Sequence, residues 1–112
     1  MIRVKWELEE AVALYELYFR FGGGVSFPQD EVAKLSFALK KRAEKLALHV
    51  DEKFRNVVGL NMQLACIHFV VTGGKEGLSG ANKLFYQIYA LYQTEPEKFH
   101  AILKDFNTKY AD

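Results

Sequence analysis

At 112 residues, half of them hydrophobic and 26% charged, the chain can build one core of ordinary size and is too short for a multidomain enzyme. Fifteen Lys plus Arg against fourteen Asp plus Glu leave a net charge of +1, so any polyanion site has to be a local patch rather than a whole-molecule property. The one cysteine, Cys66, excludes an internal disulfide framework and a thiolate zinc site, which fits a reducing cytoplasm.

The amino terminus, Met1-Ile2-Arg3-Val4-Lys5-Trp6-Glu7, turns acidic where a signal peptide would become apolar. No stretch approaches the roughly 18 uninterrupted apolar residues of a membrane span. The expectation is a soluble, unprocessed, cytoplasmic protein without a membrane partner. Trp6, Val12, Tyr15 and Phe19 recur at helical intervals, and Glu7, Glu9 and Glu10 occupy a first turn where the helix dipole favours negative charge. The spacing predicts helix one from about Trp6 to Phe21, stopped by Gly22-Gly23-Gly24.

Ser26-Phe27-Pro28-Gln29 reads as the next helix start, with Ser26 as the cap and Pro28 in the first turn. Helix two carries Val32, Leu35, Leu39, Ala43 and Leu46 on one stripe and Lys34, Lys40, Lys41, Arg42 and Lys45 on the opposite face. His49-Val50-Asp51-Glu52 links it to helix three, from about Phe54 to Thr72, the most apolar of the set, with Val57, Leu60, Leu64, Ile67 and Val71 as its stripe and Gly73-Gly74 as its stop. Ser79 is expected to cap helix four, which turns Leu84, Phe85, Ile88, Leu91 and Tyr92 inward. Thr94-Glu95-Pro96-Glu97 matches a capping box for helix five, with Phe99, Ile102, Leu103 and Phe106 inside. The reading is one all-α domain over residues 1–112, built from about five helices and helix-turn-helix-like.

No catalytic constellation is legible. His49, His68 and His100 lie on separate segments without metal-ligand spacing, Asp51-Glu52 is a pair of neighbours that point apart, and Cys66 sits in an apolar helix. The glycine runs match no phosphate-binding loop, and no cofactor, metal or small-molecule substrate is expected.

The residues that suggest recognition are Lys53, Arg55 and Asn56 at the start of helix three, with Asn61 and Gln63 further along it. Arg grips a guanine edge or phosphate with two hydrogen bonds, Asn and Gln pair with adenine, and helix amino termini offer backbone donors to phosphate. Lys40, Lys41 and Arg42 on helix two and Lys75, Asn82 and Lys83 around the next turn extend this face. A structural role is the competing reading: Arg55 pairing with Asp51 or Glu52, and Asn56 capping the helix. Tyr15, Tyr18, Tyr86, Tyr89 and Tyr92 follow helical spacing, which favours packing over base stacking; any that are exposed would indicate a protein interface.

Three segments carry a family resemblance: Trp6-Glu7-Leu8-Glu9-Glu10-Ala11-Val12-Ala13-Leu14-Tyr15; Phe54-Arg55-Asn56 leading to Met62 and Leu64; and Gly77-Leu78-Ser79-Gly80-Ala81-Asn82-Lys83-Leu84. Together, from Trp6 to about Tyr92, the chain resembles the small helical amino-terminal DNA-recognition domains of HNH and McrA-type restriction endonucleases, a group that includes sulfur-binding domains. The resemblance implies a non-catalytic DNA-binding module linked to restriction or mobile-element biology, with Arg55 and Asn56 on the DNA face and Ser79, Asn82 and Lys83 nearby. Phe54-Arg55 departs from the His-Arg pair of the sulfur-binding branch, and there is no Tyr-Pro dipeptide, so phosphorothioate recognition does not follow. The alternative is a helical interaction or assembly protein, a homo-oligomer or partner-binding module that does not touch nucleic acid.

Overall fold

Glu7 and Glu10 open the first helix. The Glu7 amide donates to the Glu10 carboxylate at 3.0 Å, and the Glu7 side chain accepts from the Glu10 backbone, a reciprocal cap that uses the acids for more than the dipole. The computed structural model describes residues 4–111; Met1, Ile2 and Arg3 of the segment read above, and Asp112, lie outside them. The order is α1 (Leu8–Arg20), α2 (Gln29–Lys45), α3 (Val57–Val71), α4 (Lys83–Thr94) and α5 (Pro96–Phe106), followed by a π-helical turn at Asn107–Ala111. The all-α expectation holds, and among the described residues there is no strand and no helix long and apolar enough to cross a membrane.

α1 is the centre. Ala11, Val12, Ala13, Leu14, Tyr15, Leu17 and Tyr18 are all buried, so it is covered on nearly every side, and α2, α3, α4 and α5 all pack on it. Tyr15 lies against Phe19, Phe85 and Tyr89, its hydroxyl donates to the Phe85 carbonyl at 2.7 Å, and Phe19 stacks on Tyr92 at 4.2 Å. Tyr15, Tyr89 and Tyr92 therefore join α1 to α4, Tyr18 turns instead to Phe27 and His68, and Tyr86 turns largely outward. α3, the most apolar helix in sequence, is less completely covered: Leu60, Leu64 and Ile67 are fully buried, whereas Val58 and Met62 face solvent.

Several helix starts fall elsewhere than the sequence indicates. α2 is preceded by Pro28 rather than capped by Ser26; the Pro28 carbonyl receives the Glu31 and Val32 amides. α3 starts at Val57, not Phe54, because Arg55 adopts φ 48° and cannot belong to a right-handed helix. Asn82, not Ser79, caps α4 by accepting from the Phe85 amide at 2.8 Å. The capping box at Thr94-Glu97 does not form: Glu95 holds the cap position of α5, and the Thr94 hydroxyl bonds back to Ala90 inside α4.

α1, α2 and α3 end in the same way, with an amide reaching back five residues: Gly23 to Tyr18, Leu48 to Ala43 and Gly74 to Phe69. The left-handed residue inside each closure is Gly22, Ala47 and Gly73 respectively, so only α2 asks an L side chain to take that conformation.

Candidate functional site

The two arginines singled out by sequence meet, and they meet carboxylates. Glu10 has no exposure to solvent, yet it lies on the apolar side of α1, four and seven residues before Leu14 and Leu17. Arg55 reaches it with a fork, Nε to Oε2 at 3.0 Å and an Nη to Oε1 at 3.1 Å, and donates also to the Lys5 carbonyl. The same guanidinium lies 4.1 Å from the Trp6 ring centre and 4.4 Å from that of Phe54. Arg42 comes from α2, bonds Glu9 at 2.6 Å and Glu7 at 2.9 Å, and approaches Glu10 at 3.8 Å. Burial works to lower the Arg42 pKa, and hydrogen bonds from Glu9 and Glu7 with the charge of Glu10 overcome it, leaving the guanidinium above its ordinary value. The result is a buried charge cluster tying α1, α2 and the turn before α3 into one unit, with no buried side-chain polar atom left unpaired among the described residues.

This corrects two readings. Arg42 does not belong to the exposed basic face: it follows Leu35 by seven residues and lies on the inward side of α2. Arg55 pairs with Glu10, 45 residues away, and not with Asp51 or Glu52. The signal that would have found it is Glu10 itself, an acid in an apolar stripe, which burial permits only with a cationic partner.

The remaining recognition residues are divided. Asn56 caps α3 by accepting from the Gly59 amide at 2.8 Å, Asn82 caps α4, and Asn61 exchanges hydrogen bonds with Gln29 of α2. Gln63 is half-buried on α3. Lys40 donates to the Glu52 carbonyl at 3.2 Å, beside exposed Lys53, whose own amide is held by Asp51. Lys41 lines a groove described below, and Lys75 and Lys83 are exposed on either side of the α3–α4 connection. The arginines and asparagines expected to face a base or phosphate thus have their polar heads engaged within the chain.

At the other end of α1, the Tyr18 hydroxyl is 2.7 Å from Nδ1 of His68, and Nε2 of His68 is 2.9 Å from Glu76. In a neutral ring only one arrangement satisfies both contacts: Nε2–H donates to the carboxylate and Nδ1 accepts from the phenol. Burial raises the Tyr18 pKa, which keeps the phenol a donor. Thr72 fastens the same loop, donating to the Glu76 carbonyl and accepting from its amide, and a Cβ on Gly77 would sit 2.5 Å from the Phe69 amide nitrogen. Cys66 is buried on α3, and burial pushes its thiol pKa up, away from nucleophile chemistry.

Apolar surface is left open on the outer side of α2. A groove of about 630 Å³ runs between α1, α2 and the carboxy-terminal turn, floored by Ala13, Leu17, Ala38, Phe106 and Tyr110. Phe37 stands at its lip, 72% exposed. The seam between α2 and α3 is antiparallel, marked by Gln29–Asn61, Ser36 to the Arg55 carbonyl, and Lys40 to the Glu52 carbonyl. Both helices give their inner sides to the core, so Ala33 and Phe37 on α2, with Val58 and Met62 on α3, step off this seam toward solvent; Val58 is 73% and Met62 53% exposed. Charged groups border the face: Arg20 bridges Glu16 and Glu31, and Lys34 bonds Glu31 at 2.9 Å.

Compared with family models, with curated proteins and with solved structures, the chain matches none.

Proposed function

We propose that this chain is a non-catalytic helical interaction module that works by protein contact. The observation that carries this reading is the apolar-floored groove beside α2, with exposed Phe37 at its lip, on a molecule whose Arg42 and Arg55 are bound to its own acids. A groove of this size, with an apolar floor and a rim of paired charges, suits the apolar face of an amphipathic helix better than it suits a phosphate backbone. DNA affinity rests on cations that can exchange counterions for phosphates, and an arginine fixed on a buried carboxylate does not supply one.

Two titrations of the intact chain test the reading. Short duplex DNA, unmodified, methylated and phosphorothioate, followed by fluorescence anisotropy at two salt concentrations, is expected to show no binding at tens of micromolar protein. A designed amphipathic helical peptide with an apolar stripe is expected to shift the NMR signals of Ala13, Leu17, Phe37 and Tyr110. Salt-sensitive DNA binding that shifts Lys40 and Lys53 while leaving the groove unmoved would overturn the proposal in favour of the nucleic-acid module implied by the resemblance.

A further inference from the structure

We infer that His68 is the centre of a pH-sensitive clasp: when its ring gains a second N–H it keeps Glu76 and gives up Tyr18, which releases the loop between α1 and α2. The geometry behind this is a line of hydrogen bonds that crosses three segments with every donor pointing the same way. The Gly24 amide bonds to the phenol oxygen of Tyr18, the phenol donates to Nδ1 of His68 at 2.7 Å, and Nε2–H of His68 donates to the Glu76 carboxylate at 2.9 Å. Tyr18 is buried, and Gly23 backs its phenol so closely that a Cβ there would stand 3.1 Å from the hydroxyl. The Gly23 amide is itself engaged by the Tyr18 carbonyl.

A neutral imidazole fits this line because one nitrogen donates and the other accepts, whereas a charged ring donates from both. Nδ1–H then faces the phenol proton. A phenol that turns to accept from Nδ1–H aims its own proton at the Gly24 amide, another donor, so a buried hydroxyl is left without an acceptor. At the other nitrogen the carboxylate of Glu76 gains an ion pair. Thr72 anchors Glu76 by its backbone, which leaves the 72%-exposed side chain able to follow the ring, while Tyr18 is fixed in the core. The surrounding groups are these. α1 presents Tyr18, and Arg20 two residues on is bound to Glu16 and Glu31. From α2, Glu31 is held by Arg20 and Lys34, and Asp30 is exposed. The α3–α4 connection presents Glu76 beside exposed Lys75, and α4 brings Tyr89 near enough to act electrostatically on the Tyr18 phenol. α3 itself carries no Asp, Glu, Lys or Arg, and the loop from Phe21 to Gln29 has no ionisable side chain.

NMR of the full chain between about pH 8 and about pH 5 is the test, with the His68 ring signals reporting its proton and the Gly23 and Gly24 amides reporting the loop. The expected result is that protection of these amides from hydrogen exchange, corrected for the intrinsic effect of pH, falls severalfold with the same midpoint as the ring. Amides of the buried Phe85 and Phe99 positions should keep theirs. Glu76→Gln retains an acceptor for Nε2–H but not the charge, and should move both midpoints to lower pH together, which a merely structural contact would not do. Tyr18→Phe, with circular dichroism unchanged, should leave the ring titrating and the loop indifferent to it; His68→Gln should leave loop protection level across the range. Loop amides that keep their protection while His68 titrates in the wild type would overturn the inference. So would a loop response that persists in Tyr18→Phe or His68→Gln, or a ring that stays neutral until the whole chain unfolds.

Discussion

The amino-terminal end of α1 and the outer side of α2 invert the usual partition of side chains. At the first, three carboxylates and two guanidiniums are drawn together, and the most buried of them, Glu10, has no solvent contact. At the second, Phe37 stands in water, as do Val58 and Met62 on neighbouring α3. Buried charge of this kind persists because every member is bonded; removing one strands the rest in a medium that solvates them poorly. Exposed apolar surface adds little to the isolated fold, and it is this surface on which the proposed protein contact rests. The pair teaches that residue type alone misplaces both regions: the arginines that look like contacts for a ligand hold the fold, and the aliphatic and aromatic residues that look like core are what a partner can reach.

Mutations that separate these two roles follow in order of effect. Glu10→Gln keeps the shape and removes the charge, leaving Arg55 without its fork and Arg42 with less compensation; urea denaturation should show a loss of about 3–5 kcal/mol, enough to unfold a marginal domain on mild heating. Arg42→Ala should cost less, about 2–3 kcal/mol, because the half-exposed side chain of Glu7 can return to water. An Arg42→Ala loss as large as that of Glu10→Gln would mean that the cluster acts as a single indivisible network.

Changing Ala47 to Gly relieves the one left-handed helix end of the three that carries a Cβ, and should raise stability by about 1 kcal/mol, read as a rise in Tm. Phe37→Asp should leave the unfolding free energy of the monomer within about 0.5 kcal/mol of wild type, which sharpens the contrast with Glu10. The smallest effect concerns Glu31, whose carboxyl is held below the usual carboxylate range first by the Lys34 hydrogen bond and then by Arg20. A depressed folded pKa gives stability that is present above the ordinary Glu value and lost as pH falls through the depressed one. Between neutral pH and about pH 4, Glu31→Gln should therefore be slightly less stable than wild type, with the difference closing in stronger acid and shrinking in high salt.

How much of this was legible in the sequence depends on range. The five helices were, because apolar spacing and glycine stops are local signals; so was the inward set Leu60, Leu64, Ile67, Phe85, Ile88, Phe99 and Phe106. Helix starts were less so, since Ser26, Ser79 and Thr94 each offer a cap that a neighbour, Pro28, Asn82 or Glu95, occupies instead. Arg55 reads in sequence as a DNA contact, with Asp51 or Glu52 as the competing partner; its carboxylate is Glu10 of α1, and no local pattern specifies which acid closes on it. The groove was invisible for the same reason: Leu17, Ala38 and Tyr110 become its floor only when the carboxy-terminal turn lies across α1 and α2. Val58 and Met62 lie off the α3 stripe of Val57, Leu60, Leu64, Ile67 and Val71, so their outward position follows from the same spacing.

The central position of α1 also bears on how the protein is made. The helices that cover it, from α2 through α5, all follow it in sequence, so its apolar sides gain their cover only as later residues are added. Until Phe85 has emerged, Tyr15 lacks both the ring it packs on and the carbonyl its hydroxyl bonds, so that side of the helix stays uncovered. Completion of the core around α1 is therefore expected only once α4 is in place.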